Sequence, residues 1–452
     1  MEPRVLARAE HRISRRDIDS NVLKVLYRLI NAGATAYLVG GGVRDLLLGR
    51  QPKDFDVGTS AHPNQVRGWF RNSRLIGRRF RLVHVFFGTQ NIEVATFRRM
   101  GEDALLSGDP LVRQDNTFGT PEEDSRRRDF TVNAIFYDPA TFCVIDYVGG
   151  LEDLQARLIR TVGEPAVRMR EDPVRMMRAI RFASKLGFEI EPATREAIIE
   201  HRQDLTKASV PRLVEEIYKT LSSKSGAPAL SMMHGLGLLQ ILLPELAVHL
   251  DQSGGIKGSR TNKNMEALSA WIENGASPSH AMLLACLFLD LHLTTIARRT
   301  EGVSEPQTNL GLVEMLRSRG FAKGDTEHMR LLLNAYPRLI APSRRTRGLM
   351  RRPYFAQAHE LHRLTAANYG DPGALERFTA APDELVNLDR RGVSSSPRSS
   401  RRPRRRWQRR RRMGFAGSGS VGGGTQPVSS GKGGEEGQSR LDNLSRTEEE
   451  RS

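Results

Sequence analysis

The sequence predicts an α+β protein: a small mixed-sheet domain comes first, an all-helical region follows, and a disordered basic tail ends the chain. Three observations predict this order. Up to about residue 160, short apolar runs alternate with polar residues and glycines, as in strands and turns. From Pro192 onward, apolar residues recur at helical spacing between glycines and prolines. After about Arg390, arginine and then glycine and serine dominate, and such a composition does not pack.

Composition narrows the class of protein. With 452 residues, the chain has room for two or three domains with their own cores. A net charge of +17 predicts a polyanionic partner, most often nucleic acid, although some basic proteins bind none. Cys143 and Cys286 are too few for a disulfide framework or a zinc site, which fits a reducing cytoplasmic compartment. The longest apolar run, residues 281–289, is too short to cross a bilayer, so we expect a core helix and no membrane partner.

The stretch from Tyr37 to Val57 is the most informative part of the sequence. An apolar run over residues 36–39 predicts a buried strand, and three glycines, residues 40–42, follow it. Glycine lets the backbone turn sharply and approach a bulky anion closely. Because a helix begins at the same place, its free N–H groups would face that anion. Gly41 and Gly42 are therefore predicted to form part of a phosphate-binding turn.

Two aspartates follow this turn. In a strand, Asp54 and Asp56 would point to the same face, with Phe55 between them. Two adjacent carboxylates repel each other unless a cation lies between them, and oxygen ligands of this kind suit Mg²⁺ that also touches substrate phosphates. The combination predicts metal-assisted nucleotidyl transfer. Glu93, on a later predicted strand, is either a third metal ligand or an ordinary surface glutamate.

The remainder of the first domain adds further candidate groups. Residues 75–88 and 91–97 are predicted to form two strands of a hairpin, and polar residues 100–116 a mobile loop over the site. Three arginines, residues 126–128, precede Asp129 at the start of a further predicted strand that runs to Phe136. That position suits binding of a triphosphate and ribose, although a solvated charge run is the simpler reading.

A helix is predicted from Glu171 to Gly187, with Asp172 as its N-cap. At helical spacing, Glu171, Arg175 and Arg178 share one face of this helix. Their donors and acceptors, held in a fixed order, could hydrogen-bond the edge of a base and so read it without a template strand. The alternative is a surface ladder of salt bridges along the helix. The helices that follow carry no evident catalytic cluster.

The basic tail is the last candidate site. Ten arginines lie between Arg398 and Arg412 with no acidic residue among them. Each arginine can displace a counterion from a phosphate backbone, and an aromatic ring can stack on a base. The alternative is a tail for solubility or localisation. The predicted RNA contacts are Arg401, Arg402, Arg404, Arg405, Arg406 and Trp407.

Three motifs together resemble those of the class II nucleotidyltransferases, which include the tRNA CCA-adding enzymes and the bacterial poly(A) polymerases. They are GGGVRDLLLG followed by DFD, RRDFTVNA, and EDPVRMMR, and the resemblance runs from about Tyr37 to Leu246. It implies that Asp54 and Asp56 bind the metals and that Asp129 is the third acid of the active site. It also implies nucleotide contacts for Gly41, Gly42, Arg44, Arg128, Glu171, Asp172, Arg175 and Arg178.

The resemblance also implies a domain organisation. We expect a flexible basic arm (1–20), a catalytic nucleotidyltransferase head (21–160), a helical neck that recognises the base (161–222), a helical RNA-binding body (223–390) and a disordered tail (391–452). The basic strand at residues 75–88 and the arginine-rich tail are more similar to the poly(A) polymerases. The segment after Met413 departs from that family's short basic end.

We therefore expect a cytoplasmic, template-independent polynucleotide adenylyltransferase. It would add AMP from ATP to the 3′ ends of mRNA and small RNA, in mRNA polyadenylation, processing and transcription-linked turnover, by a two-metal mechanism with Mg²⁺. One alternative is CCA addition to tRNA, and another is a catalytically inactive RNA-binding protein. The sequence does not identify protein partners.

Overall fold

An eight-stranded sheet forms the framework of the N-terminal half. The computed structural model describes residues 2–77, 82–99, 118–300, 309–341 and 346–370. The strands are β1 (Arg4–Leu6), β2 (Ala36–Val39), β3 (Asp56–Thr59), β4 (Ser73–Ile76), β5 (Leu82–Phe87), β6 (Gln90–Thr96), β7 (Ile135–Asp138) and β8 (Cys143–Asp146). Their order is β1-β8-β7-β2-β3-β6-β5-β4. β3 and β6 run parallel and the other neighbours antiparallel, so the sheet is mixed, as predicted.

Among the residues that the structure describes, five α-helices accompany this sheet, and the chain is mainly helical after it. The helices within the sheet domain are α1 (Ser20–Asn31), α2 (Gly41–Leu47), α3 (Pro63–Trp69), α4 (Pro121–Arg126) and α5 (Gly150–Ala156). Two short parallel strands, β9 (Leu158–Ile159) and β10 (Glu189–Ile190), pair with each other. The later helices are α6 (Pro165–Glu171), α7 (Val174–Leu186), α8 (Pro192–His201), α9 (Val210–Leu221), α10 (Gly226–Gly235), α11 (Leu239–Leu242), α12 (Pro244–Gln252), α13 (Arg260–Glu273), α14 (His280–Thr300), α15 (Asn309–Ser318), α16 (Lys323–Ile340), α17 (Thr346–Met350) and α18 (Phe355–Thr365).

Residues 2–20 are folded, which corrects the expectation of a flexible arm. β1 pairs with β8 in antiparallel register, with Val5 opposite Ile145. Ile13 and Ile18 are buried in the core. The many arginines in this segment dominate its composition, but two isoleucines are enough to anchor it. The strand itself depends on a partner some 140 residues away, which composition alone cannot reveal.

The segment after the three arginines is not a continuous strand. Thr131–Asn133 forms a 3-10 helix, and β7 begins only at Ile135. The arginines lie at the end of α4, whose N-cap Thr120 and Pro121 mark its start. All residues from Phe130 to Phe136 are buried, so the alternation in the sequence does not reflect one buried and one exposed face of a strand.

Another correction concerns the helix expected from Glu171. α6 ends at Glu171, Asp172 is non-helical, and α7 begins at Val174 after Pro173. Asp172 is therefore the C-cap of one helix, not the N-cap of the next. Its backbone has to be extended because the residue before a proline is sterically kept out of the helical region. Gly187 ends α7 with φ +72°, as predicted.

α14 is the longest helix of the described residues, and its apolar run was predicted to be a core helix. Residues His280–Arg298 are long and apolar enough to span a membrane by length and composition alone. However, 61% of the most apolar window is buried within the protein. Leu283, Leu284 and Phe288 are completely buried. The predicted loop at residues 100–116 and the arginine tail lie outside the described residues.

An ion pair joins the sheet domain to α7. Arg178 donates from Nε to Asp129 Oδ2 at 2.8 Å and from Nη2 to the same oxygen. The other carboxylate oxygen of Asp129 accepts from the backbone N–H of Phe130 at 2.9 Å and from Asn133 at 3.3 Å. Burial alone would raise the pKa of Asp129, but Arg178 outweighs that effect and lowers the pKa to about 2. This pair fixes α7 against the sheet domain.

Gly58, in the middle of β3, leaves room for side chains behind the sheet. A Cβ atom at this position would lie 2.6 Å from the Phe97 ring and 2.9 Å from Val39 Cγ1. We expect Gly58→Ala to lower the free energy of unfolding by about 1–3 kcal/mol because the core would be overpacked. Urea unfolding monitored by circular dichroism measures it. Gly68→Ala, on exposed α3 with open space around it, should leave stability unchanged or raise it by about 0.5–1 kcal/mol. Equal losses in both variants would contradict the packing argument.

The Asp129–Arg178 pair predicts a pH dependence of stability. The pKa of Asp129 is lowered from 3.8 to about 2, so the pair contributes about 2 kcal/mol above pH 4. That contribution is lost as the pH falls through about 2. Arg178→Gln should therefore be less stable than wild type at pH 7, and the difference should shrink as the pH approaches 3. Urea unfolding at several pH values measures this.

The matched control for that experiment is the double variant Asp129→Asn, Arg178→Gln, which replaces the ion pair by two neutral amides. It should recover part of the stability lost in Arg178→Gln and show a weaker pH dependence between pH 3 and 5. A difference between wild type and Arg178→Gln that stays constant over this range would show that the pair is not its source.

Candidate active site

The glycine turn after β2 is packed closely by charged side chains. Gly40 has φ +72°, a conformation that favours glycine, and α2 begins immediately after it. A Cβ on Gly40 would lie 3.1 Å from Arg128 Nη1 and 4.0 Å from Asp56 Oδ2. A Cβ on Gly41 would lie 3.4 Å from Arg44 Nη2. The turn, two arginines and one of the aspartates therefore lie together, as the motif spacing predicted.

Both aspartates reach this turn, although only one belongs to the strand. Asp56 is the first residue of β3 and lies opposite Val39 at the end of β2. Asp54 precedes the strand, and its carbonyl oxygen would be 3.5 Å from a Cβ on Gly42. Both residues are exposed to solvent. A Cβ on Gly42 would make ordinary van der Waals contact with this segment, so α2 lies directly against the part of the chain that carries the carboxylates.

Glu93 faces Asp56 across the parallel strand pair. The two residues are in register between β3 and β6. Although water reaches Asp56, the surrounding protein atoms and then Glu93 raise its pKa to about 6, with a smaller contribution from Asp54 and an opposing one from Arg128. Glu93 is also 3.8 Å from His84 Nε2. Three carboxylates therefore repel one another at this end of the sheet, and a cation would relieve that repulsion.

These carboxylates fit Mg²⁺ that shares its ligands with a bound nucleotide. Oxygen donors are the ligands that Mg²⁺ prefers, and one or two protein carboxylates plus substrate phosphates are its usual set. The described part of the chain contains no group of three or more histidines, cysteines, aspartates or glutamates arranged to hold a metal by itself. The donors suit an ion completed by substrate, and the assignment of Asp54, Asp56 and Glu93 as ligands stays a prediction.

Arg128 and Arg44 are held by an acid and an amide that sequence reasoning did not assign to the site. Arg128 donates to Asp124 Oδ2 at 2.9 Å and 3.1 Å and to the carbonyl oxygen of Asn133 at 3.3 Å. Arg44 is only 2% exposed and donates to Asn133 Oδ1 and Asp45 Oδ1. Asp124 could have been found from its position four residues before Arg128, but only once α4 was recognised as a helix.

The sequence analysis did not identify Arg168, which makes several hydrogen bonds between the sheet domain and the helices that follow it. It is 5% exposed, and its Nη2 donates at 2.7 Å to the carbonyl oxygens of both Arg127 and Arg128. Its Nη1 donates to Glu171 Oε2 at 2.6 Å, and Arg175 donates to its carbonyl oxygen. Arg168 therefore connects the backbone beside Arg128 to the residues predicted to read the base.

The four residues of the predicted base-reading motif have different neighbours. Glu171 accepts from Arg168 and, at 3.4 Å, from Arg175, which is buried. Asp172 accepts hydrogen bonds from both terminal nitrogens of Arg212, at Oδ1 from Nη1 (2.9 Å) and at Oδ2 from Nη2 (2.7 Å). Arg178 binds Asp129 instead, so the motif does not form one ladder along one helix face. Arg212 lies on α9, forty residues from Asp172, and no local signal could have predicted the pair.

Asp129 lies among basic groups. Its contacts are Arg178, Asn133 and the backbone of Phe130. Of the described residues, no metal-holding group of three includes it. Its assignment as the third acid of the active site stays a prediction. The RNA contacts predicted in the tail cannot be placed, since residues 371–452 lie outside the described part of the chain.

Comparisons with known proteins agree with this geometry. A family model described as "Poly A polymerase head domain" matches residues 36–160, and one described as "Probable RNA and SrmB- binding site of polymerase A" matches residues 187–250. Poly(A) polymerase I of Escherichia coli O6:H1 is 40% identical over 432 residues, which cover 90% of this chain and 93% of that protein.

CCA-adding enzymes are also similar to this chain. That of Bacillus velezensis is 41% identical over 220 residues, 49% of this chain and 54% of the relative. The crystal structure of the Bacillus stearothermophilus CCA-adding enzyme in complex with CTP has a TM-score of 0.57 at 31% identity, covering 82% of this chain and 80% of that one. The chain therefore belongs to the class II nucleotidyltransferase family, and it is a nucleotidyltransferase with a mixed-sheet head and a helical body.

Proposed function

We propose that this enzyme is a template-independent polynucleotide adenylyltransferase that adds AMP from ATP to RNA 3′ ends. The observation that carries the proposal is the extent of the similarity to poly(A) polymerase I, which covers 90% of this chain and 93% of that relative. The similarity to the Bacillus velezensis CCA-adding enzyme covers 49% and 54%. A match that includes the helical body favours the poly(A) reaction, because the body is expected to hold the RNA.

In the proposed reaction, the 3′ oxygen of the RNA attacks the α-phosphorus of ATP. A new P–O bond forms, the proton of the 3′ hydroxyl passes to water, the bond from the α-phosphorus to the oxygen that bridges it to the β-phosphorus breaks, and pyrophosphate leaves with that electron pair. Asp54 and Asp56 would hold Mg²⁺ against the triphosphate, and the ion would supply positive charge and lower the pKa of the attacking hydroxyl. Arg128 and Arg44 stand beside the glycine turn, where their guanidiniums can neutralise phosphate charge.

Base recognition is proposed for residues at the end of α6, in the turn after it and on α7. Glu171 accepts a hydrogen bond from the guanidinium of Arg168, and Asp172 accepts two from that of Arg212. The remaining lone pairs of the two carboxylates therefore have fixed directions. Arg175 and Arg178 are likewise held, by a backbone carbonyl and by Asp129. Such an arrangement can present the same donors and acceptors to every incoming base, and a template strand is then unnecessary.

Two further expectations from the sequence also stand as proposals. The arginine-rich tail would keep RNA near the site without reading its sequence. A cytoplasmic location would supply ATP and RNA, and it suits two cysteines that are both unpaired, Cys143 at intermediate exposure and Cys286 buried.

CCA addition is the second candidate function, and the likeness to an enzyme solved with CTP favours it. An inactive RNA-binding protein is less well supported, because the carboxylates that such a protein could have lost, Asp54 and Asp56, are both present.

Replacing Asp54 tests the assignment of the active site. Asp54→Ala should reduce AMP incorporation by about 10³-fold, which corresponds to roughly 4 kcal/mol of transition-state stabilisation. Asp54 is exposed, so the unfolding transition should be unchanged. Incorporation of radiolabelled AMP into a short RNA measures the first effect. Glu196→Gln, an exposed acid on α8, should retain wild-type activity. Near-normal extension by Asp54→Ala would overturn the assignment.

Nucleotide selectivity separates the two enzymatic functions. Offered each NTP separately, the enzyme should extend a short unstructured RNA with ATP and much more slowly with CTP, GTP or UTP. The comparison substrate is a tRNA that lacks its CCA end, offered CTP alone. Efficient addition of C to that tRNA, with no extension of the unstructured RNA, would replace the poly(A) proposal by CCA addition.

A further inference from the structure

Three basic side chains gather where the end of α2 meets the end of α7. We call Arg12, Arg50 and Lys185 the junction patch. Arg50 follows α2, and its Nη2 donates to the carbonyl oxygen of Leu186 at 3.2 Å, next to Lys185 on α7. Lys185 lies close enough to Arg50 for the two charges to interact. Residues from two elements that are far apart in sequence thus form one basic surface.

Arg12 joins this surface through Gly49. A Cβ on Gly49 would lie 2.2 Å from Nη1 of Arg12 and 2.4 Å from its Cζ, so the guanidinium rests directly on the glycine backbone. Gly49 also has φ +70°, which glycine tolerates best. Since Gly49 precedes Arg50 in the chain, Arg12 extends the basic surface onto the N-terminal segment.

Nearby acids are already bound to other arginines. Asp45, the acid beside Lys185, accepts from Arg44 at 2.9 Å and 2.7 Å and is 15% exposed. Glu216 accepts from Arg181 at 2.7 Å. Within the described ranges, none of the three patch residues has a carboxylate within 4.0 Å. Partial burial lowers the pKa of Lys185, Asp45 raises it, and Arg44, Arg181 and Arg50 lower it further.

The patch lies next to two parts of the enzyme that concern RNA. Lys185 and Leu186 directly precede the segment 187–250, which matches the family model of an RNA-binding site. Arg50 is four residues before Asp54, so their Cα atoms are at most about 14 Å apart. An RNA whose 3′ end reaches Asp54 and whose chain runs toward Arg50 would therefore bring its preceding phosphates within reach of these side chains.

We propose that the junction patch binds backbone phosphates of the RNA substrate just upstream of its 3′ end. This inference rests on the proposed function, because it requires an RNA end at Asp54. Guanidinium and ammonium groups bind phosphate oxygens without reading the bases. The RNA grows by one nucleotide at every addition, while the enzyme has to make the same contacts to its 3′ end each time. Contacts to backbone phosphates meet this requirement, because they do not depend on the bases.

The salt dependence of RNA binding tests the patch. The full-length enzyme and its Arg12→Gln, Arg50→Gln, Lys185→Gln variant are compared for binding a fluorescent 20-nucleotide RNA at several salt concentrations. Each lost phosphate contact should reduce the magnitude of the slope of log K against log salt by about 0.7. The slope of the triple variant should therefore be smaller than that of wild type by about 2. The KM for this RNA should rise while kcat at saturating RNA and the KM for ATP stay unchanged. Lys185→Gln alone changes an exposed position and should reduce the magnitude of the slope of log K against log salt by about 0.7. This single variant tests the patch even if the triple variant does not fold.

Arg67→Gln is the matched control. Arg67 is exposed on α3, which packs against β4 and β5. Its replacement by glutamine should leave the slope of log K against log salt unchanged. An unchanged slope in the Lys185 and triple variants, with intact AMP incorporation, would overturn the patch but not the proposed function. If wild type incorporates no AMP into RNA, the proposed function fails instead. Reduced binding of an acidic peptide with no change for RNA would assign the surface to a protein partner and also overturn the proposal.

Discussion

The ion pair between Asp129 and Arg178 fixes the relation between the two halves of the candidate site. The glycine turn, Arg128 and the carboxylates belong to the sheet domain, whereas the residues proposed to read the base lie at the end of α6, in the turn after it and on α7. Burial of Asp129 would by itself favour the neutral acid, and Arg178, with smaller contributions from Arg175 and Asn133, keeps it charged. A change of a few ångströms between the halves would therefore break the pair and at the same time misplace the base relative to the phosphates. Stability and nucleotide geometry depend on the same contact.

Arg168 reinforces this constraint from the other side. A planar guanidinium can bind two carbonyl oxygens and a carboxylate at once, and lysine cannot reproduce that arrangement. Because its carbonyl partners belong to Arg127 and Arg128, Arg168 sets the backbone from which the Arg128 side chain extends. Its carboxylate partner Glu171 lies in the proposed base-reading motif. The phosphate-binding and base-reading groups are thus connected through buried polar contacts, and such contacts are costly to leave unsatisfied.

Local patterns were sufficient for the parts of the site that lie close together in sequence. The glycine turn and the two aspartates follow from short-range patterns, and the helical region follows from its apolar spacing. The register that places Glu93 opposite Asp56 joins residues that are 37 positions apart and was not predicted. Arg212 and Arg168 could not be found in this way, because their partners are forty residues away along the chain. The N-terminal strand was missed for the same reason. Proline explains the division of the predicted helix at Asp172, since it restricts the residue before it.

The unequal environments of the acidic residues connect the fold to the proposed chemistry. The charge of Asp129 is balanced by Arg178, which helps to keep its pKa low. Burial, and then repulsion from Glu93 and Asp54, raises the pKa of Asp56, and Arg128 opposes this only in part. Free energy stored in that repulsion is released when positive charge arrives between the carboxylates and a triphosphate. The sheet domain therefore carries one acid that is paired across the domain junction and a separate group of carboxylates for which metal binding is proposed, and their different neighbours distinguish the two.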